Sequence, residues 1–216
     1  MKKFVFTMML MVAPLCMVSA QSGLISTKKL YTKKADMSEY LVPGVVPVVD
    51  GKVVFTKEIA AEGQSKDELF RVLSSFASLR FEANAQRGDW REPNFFRNID
   101  FAQVKEADKQ AGRIVAQGAE EMIFSNKALA KDYTHAFYRF TAEASQGKIR
   151  VTVDNIAYVY VGSQETERIP AEDWITDKEA INKKGKLSRI SGKFRVKTVD
   201  LFNEIVDEIT ELANKK

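Results

Sequence analysis

Two long stretches of alternating residues, joined by a short turn, constrain the fold of this chain more than any other feature. In residues 136–145, apolar side chains such as Tyr138 and Phe140 alternate with polar ones, and residues 148–161 resume the alternation after the turn at 146–147. A period of two over β-branched and aromatic residues is typical of a strand with one buried face. The pattern predicts an antiparallel hairpin of two long strands.

The second of these stretches changes phase halfway along. Apolar residues occupy every second position up to Val153, but the next apolar residue is Ile156, three positions later. An odd shift of this kind predicts a β-bulge at residues 154–155, which would curve the sheet. The same shift leads us to expect that Tyr158 and Tyr160 lie on the sheet face that helices leave uncovered.

Shorter strands are predicted before the long hairpin. Residues 45–60 contain an Asp-Gly turn signal followed by alternating residues, which indicates a short hairpin. Further strand signals occupy residues 99–105 and residues 113–117. The second strand is expected to break at Gly118 and to continue at residues 120–124. The polar residues 125–132 are expected to form a link between strands.

Helical patterns stand on both sides of this strand-rich part. Ser65 and Glu68 form a capping box, and the apolar residues that follow keep helical spacing to about Phe81. Residues 193–213 carry an apolar stripe and predict a long C-terminal helix. The order β-α-β-β-β-β-α indicates an α+β fold, with a curved antiparallel sheet and helices packed on one face.

The first twenty residues predict a secretory signal peptide. Lys2 and Lys3 precede an apolar run at residues 4–18, and compact residues lead to a cleavage site after Ala20. Cleavage would leave a chain beginning at Gln21 in the periplasm, at the outer membrane or outside the cell. After it, residues 21–42 are expected to form a flexible leader and residues 43–214 a single domain.

The cysteine and charge content of the mature chain exclude several classes of site. Cys16 is the only cysteine, so a chain cleaved after it has neither a disulfide nor a thiolate metal site. Of 33 basic residues, two leave with the signal, and the remaining 31 face 29 acidic ones, a net charge of about +2. We therefore expect no nucleic-acid partner, no metal and no cofactor. A membrane partner is expected only if Cys16 accepts a lipid, although Leu15 stands where that signal has a small residue.

Several motifs resemble a known family. The sequence reads VPVVDGKVVFT at residues 46–56 and SKDELF at residues 65–70, with supporting fragments at residues 107–114 and 140–150. These motifs resemble the DUF4468 family over about residues 42–160. The resemblance implies a TATA-binding-protein-like fold and export by Bacteroidetes. It supplies no catalytic residue, and a fold name does not imply DNA binding because function lies in sites.

A loop rich in aromatic and basic residues, at residues 87–97, is the strongest candidate for a binding site. Exposed aromatic residues beside arginines are typical of binding hot spots, although the same aromatics could instead fold back over the sheet. The candidate binding residues, with the two tyrosines of the long hairpin, are Trp90, Arg91, Phe95, Phe96, Tyr158 and Tyr160.

Groups suited to catalysis are sparse in the sequence. His135 is the only histidine, whereas nucleophilic triads and most zinc sites depend on this residue type. We therefore assign no catalytic residue and predict an exported cell-envelope protein that binds a protein, peptide or glycan. Two alternatives stay open: a secreted hydrolase of unrecognised type that uses His135 and carboxylates, and a lipid-anchored accessory subunit of an outer-membrane assembly.

The mass of the mature protein tests the predicted export. We expect the exported chain to begin at Gln21, because the small side chain of Ala20 fits the position before a signal-peptidase cleavage site. Mass spectrometry of the N-terminal peptide from the native host measures this directly. An acylated Cys16 as the first residue would contradict the prediction and would support the lipid-anchored alternative.

Overall fold

The structure is a computed structural model that describes residues 36–82, 86–87, 96–98, 101–127, 130–160 and 168–215. Its centre is an antiparallel sheet, and the two long helices lie on one face of that sheet. In this described part of the chain, no helix is both long enough and apolar enough to span a bilayer.

Ten strands are described. A small hairpin consists of β1 (Val48–Val49) and β2 (Lys52–Val53), joined by the predicted Asp-Gly turn. The main sheet has the strand order β10-β9-β8-β7-β5-β4, with β3 pairing with β9 and β6 pairing with β7. Its strands are β3 (Phe55–Ala60), β4 (Gln86–Arg87), β5 (Phe96–Asn98), β6 (Gln103–Asp108), β7 (Arg113–Lys127), β8 (Ala130–Ser145), β9 (Lys148–Tyr160) and β10 (Ile169–Pro170).

Three α-helices and two 3-10 turns complete the described elements. The helices are α1 (Lys66–Arg80), α2 (Asp177–Ala180) and α3 (Ser191–Asn214), and the 3-10 turns are Ser38–Leu41 and Ala171–Asp173. Apolar side chains from α1 and α3 form one core with the helix-facing residues of the sheet. The predicted α+β fold is therefore confirmed, and three register shifts between β6 and β9 are consistent with a curved sheet.

The capping box predicted at the start of α1 is confirmed. The backbone amide of Glu68 donates to the Ser65 hydroxyl over 3.3 Å, and the amide of Ser65 donates to the Glu68 carboxylate over 2.8 Å. These two bonds satisfy amides that the first helical turn leaves without partners. The helix then buries Leu69, Leu73 and Phe76 against the sheet and ends at Arg80.

β7 is longer and more regular than the sequence pattern predicts. It continues without a break from Arg113 to Lys127, so the predicted interruption at Gly118 and the predicted polar link at 125–132 are wrong. Gly118 instead provides space for the ring of Tyr138, its neighbour on β8. A Cβ placed on it would lie 2.1 Å from Cζ of Tyr138. The strand expected at residues 99–105 also lies further along the chain, as β6.

The predicted β-bulge in β9 is confirmed. Phe137 of β8 pairs with Ala157 and Arg139 pairs with Asp154, so two residues of β9 stand opposite one residue of β8. Asn155, one of those two residues, adopts a φ of 50°, in the left-handed region that asparagine tolerates better than most side chains.

The consequence drawn from the bulge for Tyr158 is wrong. One extra residue restores the alternation, so Ile156 and Tyr158 lie on the same helix-covered face as Val153. The Tyr158 ring is fully buried and packs edge-on against Phe194 of α3. Its hydroxyl lies 2.6 Å from the hydroxyl of Thr198, and burial raises the pKa of the phenol. Tyr158 is thus a core residue.

Ordered structure begins earlier than the predicted boundary at residue 43. Residues 36–47 form a strap against α3, and the side chain of Tyr40, which belongs to the strap, is buried. The Tyr40 hydroxyl donates to Asp200 over 2.6 Å, while the buried guanidinium of Arg195 donates to the Tyr40 carbonyl over 2.7 Å and to Asp177 over 2.6 Å. The expectation of a flexible leader up to residue 42 is therefore wrong for the strap.

Replacing Gly118 tests the packing of Tyr138. We expect Gly118→Ala to lower the free energy of unfolding by about 1–3 kcal/mol, because the new methyl group overlaps the Tyr138 ring and overpacks the core. Urea denaturation measures the change. The control is Gln117→Ala, one residue away on the opposite face, with an expected change of about 0.5 kcal/mol or less. Equal stability of the two variants would contradict this packing.

Candidate functional site

The uncovered face is the side of the main sheet opposite α1 and α3. A row of threonines crosses it: Thr56 of β3 pairs with Thr152 of β9, which pairs with Thr141 of β8, and the row ends at Val115 of β7. The hydroxyls of Thr56 and Thr152 lie 3.4 Å apart. From β3 to β8, this row therefore presents short hydroxyl-bearing side chains.

A row of alternating charges runs beside the threonines. Glu58, Arg150, Glu143 and Arg113 occupy successive strands as cross-strand neighbours. The guanidinium of Arg150 lies 2.7 Å from Glu58, and hydrogen bonds from Arg150 and Lys148 lower the pKa of the Glu58 carboxyl. Opposite charges on adjacent strands stabilise a sheet modestly and leave the surface polar and nearly neutral.

An aromatic patch interrupts this polar surface. The Phe101 patch consists of Phe101, Phe137, Arg139 and Arg168. Phe101 leaves 56% of its surface exposed, although its ring lies edge-on to the buried ring of Phe137 at 6.0 Å. The Arg168 guanidinium lies 4.4 Å from the centre of the Phe137 ring, a cation–π contact.

Arg139 completes the Phe101 patch. Its Nε and Nη2 atoms donate to the two oxygens of Asp154 over 2.7 and 2.6 Å, and this carboxylate raises the pKa of Arg139. The bidentate pair fixes the guanidinium plane. Beneath the patch, Phe137 packs with Ala102 and Ala119 in a small apolar cluster separate from the main core. The uncovered face thus offers an exposed ring on a rigid base.

The predicted binding residues have different outcomes. Trp90, Arg91 and Phe95 lie outside the described residues. The backbones of Phe96 and Tyr160 are described: Phe96 of β5 pairs with Met122, and Tyr160 of β9 pairs with Thr134. With Tyr158 in the core, the structure does not bring these six candidates together as one described site.

Sequence reasoning missed Phe101. Residues 99–105 carried a strand pattern, which predicts that half of their side chains are buried. In the structure Phe101 precedes β6, where every residue is exposed, and only the register of β8 brings Phe137 beneath it. The available signal was a phenylalanine beside a turn, but this signal does not distinguish an exposed phenylalanine from a core residue.

A buried ionic cluster links both helices to the sheet. Arg80, at the end of α1, is only 2% exposed and donates to Glu204 over 3.0 Å and to Glu208 over 2.8 Å on α3. Its other terminal nitrogen lies 3.5 Å from the fully buried Glu120 of β7, which also accepts a short hydrogen bond from the Tyr138 hydroxyl.

The charges of this cluster are consistent with a structural role. Burial alone would lower the pKa of Arg80, but the carboxylates of Glu208, Glu120 and Glu204 raise it well above its usual value. A guanidinium held in its charged form by three acids neither accepts nor releases protons at physiological pH. The cluster therefore fixes the position of the helices on the sheet.

Lys197 of α3 is a second buried cation with different properties. Only 3% of its surface is exposed, and burial lowers its pKa to about 8, an effect that Asp200 and Glu204 partly oppose. Removing an ammonium group from water disfavours its charged form, so this lysine releases its proton more readily than a surface lysine.

His135 lies on the uncovered face near an acidic residue. The strand register places it directly across from Glu121, which is 4% exposed, and its ring centre lies 5.8 Å from that of Tyr133. This juxtaposition is the one feature of the described residues that the hydrolase alternative could use. Among those same residues, no cluster of three or more histidine, cysteine, aspartate or glutamate side chains is arranged to hold a metal ion.

Comparisons with known proteins identify relatives of unknown function. A sequence model described as a domain of unknown function (DUF4468) with TBP-like fold matches residues 55–159. A crystal structure of a DUF4468 family protein from Bacteroides ovatus ATCC 8483 is similar at a TM-score of 0.71 and 33% identity, over 85% of this chain and 98% of that chain. A TBP-like protein from Parabacteroides distasonis ATCC 8503 shares the fold at a TM-score of 0.59 and 18% identity, over 80% and 99% of the two chains. No curated protein matches.

Replacing Lys197 tests its burial through the pH dependence of stability. Between pH 8, near its folded pKa, and its usual pKa of 10.5, the unfolded chain binds the proton that the folded chain has released. Stability therefore rises with pH in this window, by up to about 3 kcal/mol at about 1.4 kcal/mol per pKa unit, and Lys197→Met should remove that rise.

Urea denaturation from pH 7.5 to pH 10 measures both slopes. The control is Lys178→Met, because the side chain of Lys178 is 90% exposed and should leave the slope unchanged. The same slope in Lys197→Met and in the parent would show that the lysine keeps its proton as readily as a surface lysine.

Proposed function

The chain belongs to the DUF4468 family with its TBP-like fold, and from its uncovered face we propose that it is a non-catalytic binding domain of the cell envelope that receives a protein partner. The observation that carries this proposal is the exposure of Phe101 over the ring of Phe137. A large aromatic side chain left more than half in water, on a base that is already rigid, loses little freedom when a partner covers it.

The surroundings of Phe101 favour a protein partner. Interface hot spots combine an aromatic anchor with arginine and a polar rim that excludes water. Arg168 lies over the Phe137 ring that supports the anchor, Arg139 follows Phe137 by two residues on the same face of β8, and the threonine and charge rows extend the surface as a polar rim.

The charges of the uncovered face argue against a nucleic-acid partner. Binding to a phosphate backbone draws on basic side chains that can each neutralise a phosphate. On this face, Arg113 lies 3.0 Å from Glu106, Arg139 lies 2.6 Å from Asp154, and Lys148 and Arg150 share Glu58. A mixed pattern of paired charges instead suits a protein surface with complementary pairs.

We also propose that the protein works outside the cytoplasm. The basic and apolar segments of residues 1–20 support export, and the mature protein would then act in the periplasm, at the outer membrane or outside the cell. An exported domain with an exposed aromatic anchor suits an adaptor that holds a neighbour in place. A lipid on Cys16 would add a membrane anchor to the same binding role.

Site-specific photo-crosslinking tests the proposed face. A photoreactive phenylalanine analogue at position 101, in the native host, should give a discrete adduct with one envelope protein. Position 79 is the matched control, because Leu79 of α1 is 70% exposed on the helix-covered side and should give no such adduct. Phe101→Ala should abolish co-purification of the same partner and change the free energy of unfolding by about 0.5 kcal/mol or less.

Each other outcome contradicts the proposal in a recognisable way. An adduct that a glycosidase removes and a protease leaves intact would identify a glycan as the partner. Equal adducts at positions 79 and 101 would show that the partner does not prefer the uncovered face to the helix-covered side. A large loss of stability in Phe101→Ala would place Phe101 in the core rather than at an interface.

A further inference from the structure

Arg168 differs in its surroundings from three other arginines of the uncovered face. Arg113, Arg139 and Arg150 each lie at most 3.0 Å from a carboxylate oxygen. Arg168 is exposed, and its guanidinium contacts the ring of Phe137 instead. In the part of the chain that the structure describes, no aspartate or glutamate forms an ion pair with it. The Phe101 patch therefore carries one positive charge that these residues leave uncompensated.

Arg168 lies close enough to Phe101 for one partner to cover both. The ring centre of Phe101 lies 6.0 Å from that of Phe137, and the Arg168 guanidinium lies 4.4 Å from the same Phe137 ring centre, so Phe101 and Arg168 are at most about 10 Å apart. An interface of ordinary size covers about 800 Å² of each partner, which is a disc with a radius of about 16 Å. A protein that binds over Phe101 therefore also removes water from Arg168.

Covering Arg168 without a carboxylate would be costly. Removing a charged group from water is unfavourable unless an opposite charge and hydrogen bonds replace the water. The cation–π contact with Phe137 draws on the positive charge and leaves N–H groups of the guanidinium available. Those groups form a planar fork that fits a carboxylate through two parallel hydrogen bonds. A partner that supplies a carboxylate at this position therefore offsets the loss of water.

On the basis of the proposed function, we infer that the protein partner places an aspartate or glutamate carboxylate on Arg168 while an apolar side chain covers Phe101. The partner segment then has an acidic residue close to an apolar one. Arg168 becomes a specificity-determining residue, because a lysine or arginine of the partner at the same place would bring two like charges together.

A carboxylate fits this position better than a phosphate group. Sites that recognise phosphorylated peptides combine several arginines around one phosphate. Here the neighbouring Arg139 already donates to both oxygens of Asp154, and Lys148 and Arg150 share Glu58. One available guanidinium matches a single negative charge.

Photo-crosslinking at position 101 in the native host, combined with replacement of Arg168, tests the inference. Arg168→Gln should lower the yield of the discrete adduct at least about tenfold, because the carboxylate of the partner would lose its cation where water is excluded. Arg189→Gln is the matched control, since Arg189 is also exposed but lies just before α3, outside the Phe101 patch. The control should leave the yield unchanged.

A charge exchange distinguishes an ion pair from a purely supporting role of Arg168. The crosslinked peptide identifies the partner segment, which should contain an aspartate or glutamate. Replacing the acids of this segment by arginine, one at a time, should find one whose loss lowers the yield as Arg168→Gln does. Combining that replacement with Arg168→Glu should restore at least about half of the parent yield. An arginine that only supports the Phe137 ring would give no such restoration.

The outcomes separate this inference from the proposed function. If no discrete adduct forms at position 101 in the parent protein, both are wrong. If the adduct forms but Arg168→Gln leaves its yield unchanged, or the charge exchange restores nothing, Phe101 binds a protein without the carboxylate contact, and this inference alone is overturned. Loss of the adduct when the partner is dephosphorylated would also overturn it, because the anion on Arg168 would then be a phosphate.

Discussion

The buried ionic cluster around Arg80 is the interaction on which the packing of α1 and α3 against the sheet depends. A guanidinium that is 2% exposed is tolerated only when acids surround it. Here the acids come from the sheet and from α3, and the cation lies at the end of α1. A shift of any one of these three elements would remove part of the negative charge that compensates the buried Arg80. The cluster therefore fixes both helices to the same face of the sheet.

One-sided coverage determines what the opposite face can be. A face that stays in water must carry polar side chains, and it does so with the threonine and charge rows. Against this surface the ring of Phe101 is an exception, because 56% of its surface stays in water while the Phe137 ring that it contacts is buried. Features that stability leaves unexplained are the natural places to look for function.

Much of the fold was predictable, and the candidate site was not. The capping box at Ser65 and the bulge at residues 154–155 were found because each depends on residues within a few positions of one another. The errors share a different cause. A glycine in a strand pattern suggests a break, but Gly118 makes room for the Tyr138 ring, which comes from the neighbouring strand. The phase change suggested that Tyr158 is exposed, but the extra residue of the bulge returns it to the face that α3 covers.

The sequence by itself determined the elements: a period of two gives strands, and helical spacing gives α1 and α3. These patterns act through neighbours in the chain, so they can be read without coordinates. Only the tertiary structure decided which face of each strand is buried, that Tyr40 belongs to the core and that Phe101 remains exposed. Burial depends on side chains far apart in sequence, such as Phe101 with Phe137 or Tyr40 with Asp200, and no local pattern records those encounters.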